Sequence, residues 1–250
     1  MSDETAAESA AQEEPLPSVV LTITAHPDDV DFGMAATLAT WADRGVEIVY
    51  CIVTDGDAGG SDRSMSRSAV AELRRAEQQA AADIVGAKEV RFLGYPDGRV
   101  EASLQLRADL SRVIREVRPD RLLTQSAQRN LERLYGSHPD HLAVGEAAIC
   151  AVYPDARNPF AFPELLAAGL EPHTVPEVWL AGGPKADRFV DVTDAYPRKL
   201  AALAAHESQT GHHDKARFEA MLRGNAARAA EAAGFPTGRL AEMFRFVNTA

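Results

Sequence analysis

Val19-Val20-Leu21-Thr22-Ile23-Thr24-Ala25-His26-Pro27-Asp28-Asp29 is the stretch that decides the fold. Its first six residues are apolar or β-branched and read as a strand, and a helical stretch from Met34 to Arg44 follows. The polar His-Pro-Asp-Asp cluster therefore falls at the carboxyl end of a strand, where open α/β sheets bind their ligands. Much further along, His138-Pro139-Asp140-His141 opens another helical stretch. Between them the clusters hold three histidines and three carboxylates. A catalytic zinc takes three such ligands and keeps a fourth position for water, so a metal-dependent hydrolase is the expectation.

Outward from the first strand, β-rich runs at Glu47 to Thr54, Glu89 to Leu93 and Arg121 to Thr124 alternate with helical stretches at Ser66 to Val85, Leu104 to Val117 and His141 to Cys150. This βαβα order predicts a mostly parallel sheet flanked by helices, a Rossmann-like α/β fold. Gly45, Gly86 and Pro119 punctuate the helix ends. A Pro- and Phe-rich stretch, Pro154 to Pro176, is expected to be irregular and either functional or mobile. Short strands at Glu177 to Ala181 and Arg188 to Asp191, then helices at Tyr196 to His206 and Asp214 to Ala233, complete the pattern.

Composition narrows the function classes. Met1 to Glu14 carries five acids and no base, and Pro15 and Pro17 follow; such a stretch buries too little apolar surface to offset its ordering entropy. Residues 1–17 read as a disordered acidic tail and residues 18–250 as a single α/β domain. The net charge of −11 is unsuited to a phosphate backbone, so no nucleic-acid partner is expected. Neither an export signal nor a run of 18 apolar residues is found, which predicts no membrane span and a cytoplasmic location. Cys51, in a strand, and Cys150, in a helix, are expected to be unpaired.

A turn opened by Pro27 lets His26 and Asp29 face one point while Asp28 projects beside it, giving two ligands and one free carboxylate to activate water. His138 and His141, three apart at a helix start, can point the same way, with Asp140 orienting one of them. One of the two would ligate. Each cluster alone also reads as a helix start, with Asp-Asp capping one helix and Pro139 at the first position of another.

Four blocks in order, Ala25-His26-Pro27-Asp28-Asp29-Val30-Asp31-Phe32-Gly33, Thr54-Asp55-Gly56-Asp57-Ala58-Gly59, Phe92-Leu93-Gly94-Tyr95-Pro96-Asp97-Gly98 and His138-Pro139-Asp140-His141, resemble the PIG-L/LmbE-like zinc-dependent N-acetylglucosaminyl deacetylases. The resemblance implies an LmbE-like fold and removal of acetyl from an N-acetylglucosaminyl group. It implies His26, Asp29 and His141 as metal ligands and Asp28 as general base. It further implies His138, in its protonated form, as the group that stabilises the tetrahedral oxyanion or protonates the leaving amine, and Asp140 as the residue that holds a histidine. Zn²⁺ is the implied metal, with Fe²⁺ competing for the same ligands. The implied partner is a small-molecule amino sugar, and the family leans toward homo-oligomers.

Other positions match more loosely. Arg74, in an Arg-x-x-Glu pattern with Glu77, would reach a sugar hydroxyl or phosphate, and Asp97 would accept bonds from sugar hydroxyls. His206, in His206-Glu207-Ser208-Gln209-Thr210, would line the pocket. Gly56, Gly59 and Gly60 would let backbone approach a ligand. His173 lies in a loop that could close over substrate, His212 and His213 read as surface residues, and Tyr153, Phe160, Phe162 and Trp179 offer faces on which a sugar could stack. Two further readings stay open: an amidase for a glucosamine-containing thiol S-conjugate, and a non-catalytic metal-dependent sugar-binding protein whose Pro154 to Pro176 stretch occludes the pocket.

Overall fold

The computed structural model describes residues 16–60, 62–131 and 134–250. The acidic segment expected over residues 1–17 lies outside the described residues except for its last two, and of these Leu16 packs partly buried against the core. The chain runs β1 (Val19–Thr24), α1 (Asp29–Gly33), α2 (Ala35–Ala42), β2 (Glu47–Thr54), α3 (Arg67–Val85), β3 (Glu89–Tyr95), α4 (Leu104–Val117), β4 (Arg121–Gln125) and α5 (Pro139–Cys150). It continues through α6 (Pro163–Ala167), β5 (Glu177–Ala181), β6 (Arg188–Asp191), α7 (Tyr196–Ala205), α8 (Glu207–Thr210), α9 (Lys215–Ala232) and β7 (Ala241–Asn248). The strands form one sheet in the order β3-β2-β1-β4-β5-β7-β6, parallel from β3 to β5 and antiparallel at β5-β7 and β7-β6.

Strand periodicity explains why both faces are covered. Along β2, Ile48, Tyr50 and Ile52 join the core beneath α2, α3 and α7, while Val49, Cys51 and Val53 join the opposite core with Leu110, Ile114 and Val144 of α4 and α5. Side-chain caps start α3, α4 and α9, where Ser66 accepts from Ala69 N, Ser103 from Leu106 N and Asp214 from Arg217 N, whereas Asp28 at the start of α1 makes no such bond. Chain order reverses at β1, with β2 on one side and β4 on the other. The carboxyl ends of these two strands therefore open a crevice. No helix among the described residues is long and apolar enough to cross a membrane.

Three features depart from the sequence reading. The helix expected over Met34 to Arg44 forms as α2, but a short helix that the sequence reading did not include, α1, precedes it across Met34, whose φ is −150°. Helix α2 starts where the Glu242 carboxylate accepts from Ala36 N (3.3 Å) and Thr37 N (2.8 Å). Strand β7 was not expected at all. Its inward face reads Leu240, Glu242, Phe244, and the acid interrupts the apolar alternation, yet Glu242 is only 5% exposed because Lys199 and the α2 amides neutralise it.

The Pro154 to Pro176 stretch is neither a lid nor an occluding segment. Arg115, near the end of α4, donates to the carbonyls of Asp155, Ala156, Asn158, Ala161 and Leu170. The Asp155 carboxylate takes two bonds from Arg107, and His173 Nε2 lies 2.9 Å from the Pro119 carbonyl. Pro119 lies just ahead of β4, so the stretch lies at the amino end of the sheet, opposite the crevice. His173 cannot close over substrate from there, and Tyr153, Phe160 and Phe162 share its distance from the crevice. Trp179 is core, edge-on to Trp41 with 5.3 Å between ring centroids and 5.4 Å from Phe244. Both cysteines are free, and burial pushes the Cys51 thiol up to about 12.

Phe244 is fully buried against Trp179. We expect Phe244→Ala to cost roughly 3–5 kcal/mol in a denaturant titration; a loss under about 1 kcal/mol would mean that β7 is not part of the cooperative core.

Candidate metal centre and active site

The His26-to-Asp29 turn leaves β1 at the crevice and is held from three directions. Ala25 N donates to Gln125 Oε1 of β4 (3.0 Å), and Asp28 N donates to Gln78 Oε1 of α3 (2.9 Å). Arg74, one turn before Gln78, donates through Nη2 to the Pro27 carbonyl (2.5 Å) and to Asp28 Oδ2 (3.1 Å), and through Nη1 to the Gly56 carbonyl (3.1 Å). These contacts keep Asp28 at φ 93°. A non-glycine residue there carries strain of about 1–3 kcal/mol and persists only where its surroundings dictate it.

Three donor groups converge beside this turn. His26 Nδ1 lies 3.2 Å from His141 Nε2 and 3.3 Å from Asp29 Oδ2, and His141 Nε2 lies 3.0 Å from Asp29 Oδ1. A tetrahedral metal with N and O ligands at about 2.0–2.1 Å sets its ligand atoms about 3.4 Å apart, so the set fits such an ion closely. His138 belongs to the same cluster, its ring centroid 4.9 Å from that of His26. The fold thus brings ligand atoms of His26, Asp29 and His141 to 3.0–3.3 Å of one another, with His138 next to them.

The other side of the His26 ring meets carboxylates. Nε2 lies 3.2 Å from Asp140 Oδ2 and 3.1 Å from Asp97 Oδ1. Asp140 also accepts from Gly98 N (2.7 Å) and Val100 N (3.3 Å), so it is an orienting acceptor rather than part of a second ion site. Burial works against a charged His26 ring, yet hydrogen bonds to Asp140, Asp29 and Asp97 raise it to about 12. Burial likewise opposes a charged His141, but Asp29 raises it. Burial raises Asp29, and the His141 and His26 rings more than reverse this, holding it well below the usual carboxylate range. Asp28 goes the other way: burial, partly opposed by Arg74, lifts it to about 7.

His138 departs from its expected protonated form. Burial and the neighbouring His26 ring lower its pKa, and its Nδ1 accepts from Asp140 N (3.2 Å) as the cap of α5. A neutral ring accepting at Nδ1 carries its proton on Nε2.

The three substrate-binding candidates take different places. Arg74 is 3% exposed and both of its terminal nitrogens are bound to the two strand-end loops, so it clamps the turn instead of presenting itself to a sugar. Gly56 and Gly59 serve this arginine rather than a ligand, because a Cβ at either would stand 2.3 Å from Arg74 Nη1. Asp97 faces His26 and accepts from Ala58 N (3.3 Å). His206 is wholly buried, its Nε2 2.8 Å from Asp31 Oδ2, and does not line the pocket. Sequence reasoning missed Gln78, Gln125 and Asp31; the spacing of Gln78 four residues after Arg74, on one helix face, was the available signal. A cavity of about 650 Å³ is lined by residues that include Asp57, Gly59, Arg63, Met65, Arg67 and Gln209, and the metal-centre residues are not part of its wall; Asp57, whose Oδ1 accepts from Asp97 N (2.9 Å), lies between the two.

Comparison with known proteins adds to this geometry. The family described as PIG-L, GlcNAc-PI de-N-acetylase, matches residues 21–152. A diacetylchitobiose deacetylase of Thermococcus kodakarensis is 33% identical, over 91% of this chain and 82% of its own length. A "Probable N-acetyl-alpha-D-glucosaminyl L-malate deacetylase 2" of Bacillus cereus is 30% identical, over 76% of this chain and 83% of its own. The crystal structure of N,N'-diacetylchitobiose deacetylase from Pyrococcus horikoshii with an inhibitor superposes with a TM-score of 0.85 at 33% identity, covering 93% of this chain and 84% of that one.

The raised rings give the metal-free fold a pH signature. Protons held by His26 and His141 in the folded state leave the unfolded chain near pH 6.5, so their stabilisation is complete below that value and is lost as pH rises through each ring's raised folded pKa, about 12 for His26. A metal needs the same rings unprotonated, so its affinity grows across that window. We expect the Tm difference between zinc-loaded and chelator-stripped protein to widen from about pH 6 to about pH 9. It should vanish in His141→Ala. A gap that narrows with pH would reject this ligand set.

Proposed function

The chain belongs to the PIG-L family, and from that premise we propose that it is a metal-dependent deacetylase that hydrolyses the acetamide of an N-acetylglucosamine unit on a small molecule or glycoconjugate. The observation that carries this reading is the convergence of His26, Asp29 and His141 at 3.0–3.3 Å, with the Asp28 carboxylate of the same turn held by Arg74. These three residues would hold Zn²⁺, for which Fe²⁺ competes. The ion supplies Lewis-acid polarisation of the amide carbonyl and makes water acidic enough to attack near neutral pH.

The chain's own groups do the rest. Asp28, lifted by burial to about 7, takes the proton of the attacking water and returns it to the leaving amine. The Nε2–H of neutral His138 donates to the oxygen on which negative charge grows, a preorganised donor worth several kcal/mol in a site closed to water. Asp140 and Asp97 receive the Nε2–H of His26, so that its Nδ1 is free to ligate. The cavity beyond Asp57 has room for the remainder of the substrate, and the diacetylchitobiose deacetylases suggest a second sugar there. A single domain over residues 18–250, a cytoplasmic setting and a homo-oligomeric state are carried in this proposal as well.

Purified protein should hold one metal per chain and release acetate from N,N'-diacetylchitobiose, with loss of activity on chelation. Asp28→Asn keeps a left-handed residue and its bond to Arg74, so it should retain metal and fold while kcat falls roughly 100-fold or more. Undiminished turnover in Asp28→Asn would reject the assignment of the base.

A further inference from the structure

The His206-Glu207-Ser208-Gln209-Thr210 block is not used by the mechanism, yet its histidine ends a chain of hydrogen bonds that leads to the active-site turn. His206 Nε2 meets Asp31 Oδ2 (2.8 Å), the same oxygen accepts from Gln78 Nε2 (2.9 Å), and Gln78 Oε1 accepts from Asp28 N (2.9 Å). His206, Asp31 and Gln78 are each 0% exposed. We propose that His206 is a positioning residue for deacetylation, fixing the amide of Gln78, through Asp31, in the orientation that holds Asp28 in its left-handed conformation. This rests on the reading of Asp28 as the general base.

Three observations support it. The first is that an amide side chain can turn over. Only with Nε2 aimed at Asp31 does Gln78 present Oε1 to the Asp28 N–H, and the carboxylate is a pure acceptor that enforces this orientation. His206 in turn fixes the carboxylate. The second is cost: Asp31 Oδ1 and His206 Nδ1 are buried without hydrogen-bond partners, so the chain is not the most stable filling of this space. The third is that α3 grips both ends of the path on one face. Arg74 holds Pro27 and Asp28, Gln78 holds Asp28 and Asp31, and Glu77 accepts from Ser208 N (2.7 Å) and Oγ (2.6 Å), two residues past His206. Residues three and four apart on a helix share that face.

The test uses zinc-loaded full-length protein and N,N'-diacetylchitobiose, with His206→Leu, His206→Gln, Gln78→Met and Asp28→Asn compared for kcat, KM, metal content and Tm. A base displaced by about 1 Å loses on the order of 100-fold in rate. His206→Leu and Gln78→Met should therefore lower kcat roughly 10- to 100-fold while KM stays within about threefold and metal content is unchanged. Glutamine places an N–H donor where the imidazole Nε2 stood, so His206→Gln should restore kcat to within about fivefold of the parent, a rescue that simple packing would not give. If His206→Leu does not fold, Gln78→Met breaks the adjacent link and decides the matter. Parental kcat in either metal-loaded variant, or equal losses in His206→Gln and His206→Leu, would overturn the inference. An active Asp28→Asn would overturn the base assignment and this inference with it, whereas an inactive Asp28→Asn beside a fully active His206→Leu would overturn this inference alone.

Discussion

The buried guanidinium of Arg74 is the interaction on which the site depends. A cation placed almost out of solvent needs acceptors, and here its two terminal nitrogens find them at two strand ends, the Pro27 carbonyl after β1 and the Gly56 carbonyl after β2, and at Asp28. Leaving one of these unmade would be costly, so the two loops hold a fixed distance from each other and from α3. Glycine at 56 and 59 follows from the same constraint, since any side chain would strike the guanidinium. A turn that would be strained in isolation thereby becomes the lowest-energy shape of its surroundings.

Around that turn the fold assembles more negative charge than positive. Asp28, Asp29, Asp97 and Asp140 crowd His26, His138 and His141, and the carboxylates raise the pKa of the His26 and His141 rings. Such a centre is matched to a divalent cation, and binding exchanges protons for metal. The division of labour among carboxylates comes from their partners. Asp29 faces two rings and stays ionised, Asp140 is tied to two backbone amides, and Asp28, which burial raises against the pull of Arg74, is lifted to about 7. Environment gives chemically equal side chains different roles.

Much of this was legible in the sequence, for identifiable reasons. Strand β1 is a run of β-formers ended by Pro27, and the cluster at its carboxyl end had to face the crevice of a parallel sheet. The relation between His26, Asp29, His138 and His141 was therefore readable from spacing and order. Direction was harder. Arg74 and His206 lie beside the centre, as their motifs suggested, but whether a side chain points at the cavity or behind it depends on packing partners far along the chain, Pro27 and Gly56 for one and Asp31 for the other. The stretch from Pro154 to Pro176 was misjudged because composition does not say at which end of a sheet a connection lies. Strand β7 was hidden by Glu242, whose compensation by Lys199 and the amides of α2 is visible only in three dimensions.

Glu242 has one more consequence, and it concerns synthesis. Residues 26–141 supply every group at the metal centre, but α2, which continues from the helix carrying Asp29, begins on a carboxylate that is translated a hundred residues after that centre is complete. Strand β7 also sits between β5 and β6, so the sheet stays divided until residues 241–248 have left the ribosome. Contacts of such long sequence separation form late. A nascent chain therefore carries His26, Asp29 and His141 before the strand that supports α2 and joins β6 to the sheet has been made.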